Sequence, residues 1–225
     1  MIFIWVILYG IIFVISEKLS FLIGIDHIIT IFTLLIFVIC FIIYTLKKSK
    51  QNEEINVFLI KNFKFNKDFF LMIPLLCFPL FNLIIFRANF DIMILILMVS
   101  ICMLEELFFR KYLLEAIIRK NKTLGFFLSA LIFALFHFSN ILNNSSILYI
   151  SLQIIVAFFV GLCYNGLVLK YQSILPTFLL HLLTNICGVG DLNAYANEYI
   201  IGLCFCTVIY FIYGVWFFIN QTKKT

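Results

Sequence analysis

Long, uninterrupted apolar runs constrain the fold of this chain more than any other feature. Eight can be counted, at residues 2–16, 28–46, 69–86, 92–118, 124–139, 147–169, 174–187 and 199–219. Most approach the ~20 residues with which a helix crosses ~30 Å of hydrocarbon. The first, fifth and seventh are shorter, as expected of helices buried against neighbours. The runs do not alternate as β-barrel strands do, so the sequence predicts an all-α, polytopic membrane helix bundle of about eight transmembrane helices.

Composition supports a membrane protein with one domain. Hydrophobic residues make up 64% of the chain and the mean hydropathy is +1.15, whereas soluble domains are about 45–50% apolar. No linker rich in Gly, Ser or Pro and no clear repeat divides the sequence, so we expect one integral-membrane domain over residues 1–225. The seven cysteines are scattered through the apolar runs and are interpreted as packing residues. The abundance of Ile, Phe, Lys and Asn is typical of an AT-rich bacterial genome.

The distribution of basic residues predicts how the chain crosses the membrane. Thirteen of the 16 Lys and Arg residues, counting Lys111, fall in or beside the stretches 47–68, 119–123, 170–173 and 220–225, and two fall in the intervening outer loops. By the positive-inside rule, these stretches and both termini are cytoplasmic in the cell membrane. Topology thereby accounts for the net charge of +5, and we expect the lipid bilayer, with no nucleic acid, as a partner.

Ionisable side chains inside the apolar runs are the candidates for function. Glu105, Glu106 and Arg110 lie in the fourth run, and each charge at the bilayer centre costs at least ~2.5–3.5 kcal/mol on insertion scales. Glu106 and Arg110, four residues apart, would neutralise one another on a helix. Glu105 points about 100° away from Glu106 on an α-helix and has no such partner in its own run. Another helix must therefore satisfy Glu105.

Three polar residues in later runs are candidates for that contact. Taken singly, His137 suits a core histidine, and His181 with Asn185 suits the polar contacts that join membrane helices. If the fourth and fifth runs are antiparallel helices, however, Glu105 lies ~21 Å and His137 ~20 Å from the basic turn that joins them. His181 and Asn185 are four residues apart and can face one cavity. We therefore predict that these residues converge with Glu105.

The same residues carry a family resemblance. The segments EELFFR, FALFH and HLLTN stand in this order on three runs. They resemble the EExxxR, FxxxH and HxxxN motifs of the CPBP family, which groups CAAX prenyl endopeptidases with bacteriocin-processing and abortive-infection (Abi) proteins. The resemblance covers about residues 90–190, including Gly161-Leu162 and the stretch 171–176. Lys111, where many members have Gly, and the bulky Phe136 are minor departures.

The resemblance implies an intramembrane endopeptidase, with roles for the six motif residues. Glu105 is implied as the general base that activates water, and His137 as the residue that holds this water and helps to move its proton. His181 and Asn185 are implied as donors to the oxyanion. Glu106 and Arg110 would support the helix and offset buried charge. The expected partner is a membrane protein or peptide substrate, such as a leader peptide, pheromone precursor or bacteriocin.

Zinc is the alternative to a cofactor-free site. Glu105, His137 and His181 could supply three ligands and leave a fourth position for water. The chain lacks the HExxH pattern that fixes two ligands on one helix, and Asn185 suits an oxyanion better than zinc. The metal-free mechanism is therefore favoured.

Two other functions remain alternatives to proteolysis. A catalytically silent membrane scaffold or bacteriocin-immunity protein would keep the fold, although every motif side chain is present here. A small proton-coupled transporter would use buried Glu and His as a relay. Repeated halves or glycine-broken helices, which are typical of transporters, are not evident in the sequence.

Overall fold

The structure is a computed structural model that describes residues 2–23, 28–48, 55, 57–60, 64–86, 92–138, 147–187 and 196–222. These residues form eight helical segments. The segments are α1 (Ile2–Ile23), α2 (Ile28–Lys48), α3 (65–86), α4 (Ile92–Ile118), α5 (Lys122–Phe136), α6 (Ile147–Tyr171), α7 (Leu175–Cys187) and α8 (Ala196–Thr222).

The described helices confirm the predicted fold class. Four stretches are long and apolar enough to cross a membrane: Ile28–Lys47, Ile92–Ile118, Ile147–Tyr171 and Ile200–Asn220. Three shorter apolar helices, Phe70–Ile84, Lys122–Phe136 and Leu175–Cys187, lie among them. The protein is an all-α membrane helix bundle, and α5 and α7 are short, as the lengths of the fifth and seventh apolar runs predict. The expectation of a short first helix was wrong, because α1 continues past the apolar run 2–16 and spans 22 residues.

Two helices depart from regular α geometry. In α3, a 3₁₀ turn at Ile73–Leu76 contains Pro74, which lacks the N–H that a continuing helix would need. In α4, the segment Glu106–Leu114 is a π-helix. The expectation of an α-helix throughout the fourth run was therefore wrong. A π-turn closes its hydrogen bonds over five residues instead of four, so successive side chains point in different directions from those on an α-helix.

Small residues and one buried amide hold α5 against α6. A Cβ on Gly161 of α6 would come within 3.1 Å of the Ala130 Cβ of α5 and 3.4 Å of the Phe133 ring. Asn165 of α6 donates from Nδ2 to the Phe126 carbonyl and to Ser129 Oγ, both at 2.7 Å. The close approach and the hydrogen bonds together fix α5 and, with it, the ring of Phe133.

Two residues between α2 and α3 pack into the polar end of the bundle. Ile55 and Val57, in the basic stretch 47–68 that the sequence places in the cytoplasm, are buried. The Lys111 ammonium donates to the Ile55 carbonyl and, at 3.0 Å, to Glu115 Oε2. Lys111 was counted with the charges beside the loops, but it is buried. Its ion pair with Glu115 supplies the charge compensation that burial requires.

Candidate active site

The π-helical segment begins with Glu106, a carboxylate that three side chains contact. Glu106 is fully buried. Its Oε2 accepts a hydrogen bond of 2.7 Å from Thr177 Oγ1, and its Oε1 lies 3.0 Å from His181 Nδ1. Arg110 Nη1 lies 3.5 Å from the same Oε1. The sequence predicted the contact with Arg110, and the structure adds two contacts from α7.

Glu105, the preceding residue, is placed differently. Its Oε2 lies 3.6 Å from His181 Nε2, and its side chain is 12% exposed, against 0% for that of Glu106. In the described part of the chain, no hydrogen-bond donor contacts the Glu105 carboxylate. As predicted, a residue of another helix faces Glu105. This residue is His181, and the contact is an approach of 3.6 Å without a hydrogen bond.

His181 lies between the two carboxylates because of its position on α7. A turn precedes the helix, with Gln172 in the left-handed region at a φ of 53°, and Pro176 occupies the first turn of α7. Thr177, His181 and Asn185 follow at intervals of four and share one face. The spacing of four paired His181 with Asn185 in the sequence. Thr177 lies at the same spacing before His181 and was missed.

Arg110 compensates charge without forming hydrogen bonds. Its guanidinium carbon lies 3.9 Å from the centroid of the Phe133 ring and 5.5 Å from that of Tyr164. Among the described residues, no acceptor forms a hydrogen bond with any of its three nitrogen atoms. A desolvated guanidinium over an aromatic face is stabilised by about 2 kcal/mol or more. Arg110 is therefore held by Glu106 and by ring faces.

Phe133 also connects His137 to the cluster. Its ring packs edge-on against the imidazole of His137, with centroids 5.2 Å apart, and against that of His181 at 5.9 Å. His137 Nδ1 lies 3.2 Å from the Phe133 carbonyl. In the described residues, no hydrogen bond joins His137 to Glu105. In the sequence, Phe133 served only as the first residue of the FxxxH segment. Its position between the two imidazoles was not predicted.

Asn185 lies beside the helical turn that precedes Glu105. Its Nδ2 donates to the Sγ of Cys102 at 3.3 Å, and Cys102 is three residues before Glu105 on α4. Of the six residues singled out from the sequence, four therefore form one cluster of direct contacts: Glu105, Glu106, Arg110 and His181. His137 and Asn185 reach that cluster through Phe133 and Cys102.

The zinc alternative can be tested against this geometry. A catalytic zinc site needs about three protein ligands that converge on one point. Among the described residues, no group of three His, Cys, Asp or Glu side chains is arranged to hold a metal ion. The bond of His181 Nδ1 to Glu106 would leave Nε2 as the nitrogen for a metal. Glu105, His137 and His181 do not converge as three ligands in the described structure, and the metal-free site stays a prediction.

Comparison with known proteins identifies the region that carries this cluster. Residues 87–187 match the family model described as type II CAAX prenyl endopeptidase Rce1-like. The match covers slightly less than half of the chain. A search of curated proteins and a search of solved structures found no match. The match confirms the resemblance inferred from the three motifs: residues 87–187, which include α4 to α7, are similar to Rce1-like type II CAAX prenyl endopeptidases, which supports a CPBP/CAAX-type intramembrane protease.

Proposed function

We propose that the protein is an intramembrane endopeptidase that hydrolyses a peptide bond of a membrane-associated protein or peptide, with Glu105 activating the water. The observation that carries this assignment is the difference between the two adjacent carboxylates. Glu106 accepts hydrogen bonds on both oxygens, whereas no hydrogen-bond donor in the described part of the chain contacts Glu105. A general base must have a free lone pair within reach of the proton that it removes. Glu105 has one.

The charges of the cluster allow the same assignment. The two carboxylates and the Arg110 guanidinium sum to one negative charge, which one further proton, on either Glu105 or His181, would cancel. That proton is favoured because an uncompensated buried charge is costly. In the proposed catalytic state it is on His181. Glu105 is then ionised and can act as a base, and His181 Nε2 carries a hydrogen that can be donated in a hydrogen bond.

Peptide hydrolysis in this cluster would proceed as follows. Glu105 removes a proton from water, and the water oxygen attacks the carbonyl carbon of the scissile bond. The carbonyl oxygen becomes an oxyanion, which accepts hydrogen bonds from His181 Nε2 and Asn185 Nδ2. The C–N bond breaks as the leaving nitrogen receives the proton that Glu105 took up. The products are a new carboxyl terminus and a new amino terminus.

His137 is assigned to the water and not to the oxyanion. The contact of its Nδ1 with the Phe133 carbonyl favours a hydrogen on Nδ1, because a carbonyl can only accept. Nε2 then has a lone pair that can accept a hydrogen bond from water. His137 would thus hold the attacking water and help to move its proton, and the hydrogen bond with Phe133 would fix its tautomer.

The proposed substrates follow from where the site lies. Glu105 and His181 are in helices of a membrane bundle, so the scissile bond must be presented at the membrane by a membrane protein or a lipid-associated peptide. The CAAX endopeptidase region supports cleavage of a membrane-bound chain in general. We propose the cell membrane as the location.

The test is a comparison of the peptides in membranes and culture medium from cells with wild-type protein and with Glu105→Gln or His181→Ala. Each variant should abolish cleavage products while the protein still accumulates in the membrane. Because residues that act as a unit are non-additive, the double variant should be scarcely worse than either single one.

The control is Lys120→Gln, which also replaces a charged side chain by an amide, at an exposed position just after α4. This variant should retain its cleavage products. Full activity in Glu105→Gln would remove Glu105 from the mechanism, and a wild-type protein without products would favour a catalytically silent scaffold.

A further inference from the structure

Thr177 stands in the middle of a chain of contacts that ends at Glu105. Its hydroxyl oxygen lies 2.7 Å from Glu106 Oε2 and 2.9 Å from the carbonyl of Ile174. The hydroxyl has one hydrogen, so it can donate fully to only one of the two acceptors. Hydrogen bonds to a charged acceptor are shorter and stronger than those to a neutral one. Donation to the Glu106 carboxylate therefore prevails.

This donation fixes how the Glu106 carboxylate is turned. With Oε2 held by Thr177, Oε1 faces His181 Nδ1 at 3.0 Å. Arg110 alone would not fix the carboxylate, because its nitrogen lies 3.5 Å away and forms no hydrogen bond with it. The orientation of Glu106 thus depends on α7 at two points, one turn apart.

The orientation of Glu106 in turn determines what His181 presents to Glu105. A carboxylate can only accept, so the Glu106 contact requires a hydrogen on Nδ1. The other ring nitrogen, Nε2, is then directed at Glu105 Oε2 at 3.6 Å. If Glu106 turned away, Nδ1 would lose its acceptor, and the ring would give up the Nδ1 hydrogen and keep the one on Nε2.

We propose that Thr177 is a positioning residue of the active site: by holding Glu106 Oε2, it keeps the Nδ1 hydrogen of His181 on Glu106 and Nε2 directed at Glu105. Only the predicted change in cleavage rate rests on the proposed endopeptidase function. Whether His181 carries a hydrogen on Nδ1 can be measured in the protein without substrate.

The decisive variants are Thr177→Val, which keeps the shape and removes the donor, and Thr177→Ser, which restores the donor. The control is Thr207→Val on α8, whose hydroxyl bonds to the Leu203 carbonyl of its own helix at 2.6 Å. Should the valine variant fail to accumulate, Thr177→Ala, which removes the donor without adding volume, takes its place.

The first measurement is ¹⁵N magnetic resonance of histidine-labelled protein in lipid. The chain has three histidines, so His27→Gln and His137→Gln variants assign the signals. In wild type and in Thr177→Ser, His181 should carry a hydrogen on Nδ1. In Thr177→Val, a form with hydrogen on Nε2 alone should appear. An unchanged His181 spectrum in Thr177→Val would overturn the proposal, whether or not a substrate is known.

The second measurement is the rate of cleavage. Thr177→Val should lower kcat about tenfold with little change in KM, the order of loss seen when an outer-shell hydrogen-bond partner is removed. Thr177→Ser should recover to within about twofold of wild type, and Thr207→Val should resemble wild type. Equal losses in the serine and valine variants would also overturn the proposal, because the hydroxyl would then not be responsible.

Discussion

Two neighbouring glutamates with opposite surroundings define the chemistry of this site. Glu106 is buried and bonded on both oxygens, whereas Glu105 is partly exposed and faces one imidazole nitrogen. The same side chain therefore serves as a fixed anion at one position and as the proposed base at the next. The difference comes from which residues of α7 each carboxylate meets.

Arg110 should matter for the amount of folded protein more than for the reaction. Removing one partner of a buried ion pair costs about 3–5 kcal/mol, so Arg110→Ala should sharply lower the yield and the Tm of folded protein in detergent. Glu106→Gln should be milder for folding, because the ring faces of Phe133 and Tyr164 still stabilise Arg110.

The control for Arg110→Ala is Lys67→Ala, which removes an exposed basic residue and should leave the Tm unchanged. Size-exclusion profiles and thermal melts measure each variant. If Arg110→Ala accumulates and melts as the wild type does, yet cleaves nothing, Arg110 belongs among the residues that contact substrate.

Asn185 distinguishes the two proposed mechanisms. If Glu105 works without metal, Asn185→Ala should lose about 10²-fold or more in kcat, as expected for an oxyanion donor. Chelators should then have little effect. The control is Asn220→Ala on α8, whose amide donates to the Trp216 carbonyl of its own helix, and it should resemble wild type. Stoichiometric zinc in purified protein, with activity restored by metal alone after chelation, would overturn this prediction.

The side chains that could be predicted are those whose chemistry is unusual in lipid. A charge or imidazole in an apolar run is conspicuous in the sequence, and four such residues do come into contact. Thr177 is ordinary in a membrane helix, and Phe133, although it begins the FxxxH segment, was given no role of its own. Their importance comes from neighbours on other helices, which no local pattern specifies.

At the scale of the helix, the π-segment of α4 is the main feature that the sequence did not reveal. Residues 106–114 read as good helix formers, without the proline or glycine that usually marks a break. The choice between closing hydrogen bonds over four or five residues depends on packing around the helix, which is a tertiary property. The predicted depths of Glu105 and His137 were calculated with the rise of an α-helix, which does not hold in the π-helical segment between Glu105 and the turn.

The pairing of α5 with α6 could be predicted in part. Gly161 stood out in the family resemblance, and its contact with Ala130 shows why a small residue is needed at that crossing. Asn165 did not stand out, although its two hydrogen bonds to α5 position the same pair of helices. An asparagine in an apolar run does not by itself indicate a role, since its amide can serve helix packing or a functional site.

At the scale of the whole molecule, two of the four stretches that the charge bias places on one side, 47–68 and 170–173, lie together. Lys170, at the end of α6, forms an ion pair of 2.6 Å with Asp68, in the first turns of α3. Ser173 is within 3.4 Å of the Val57 carbonyl, and Lys111 reaches the carbonyl of Ile55. Contacts therefore join the end of α6, the start of α3 and the residues between α2 and α3 at one end of the bundle.

This common end should be cytoplasmic, together with both termini. The driving force is the bias of Lys and Arg, which favours retention of basic loops on the inner side of the membrane. In a background without the seven native cysteines, Lys67→Cys should be protected from an impermeant thiol reagent in intact cells and labelled after lysis. A cysteine at residue 191, which the charge bias places outside, should be labelled in intact cells. A reporter fused after residue 225 should be active only in its cytoplasmic form. Labelling of residue 67 in intact cells, or an active periplasmic reporter at residue 225, would show that the orientation is reversed.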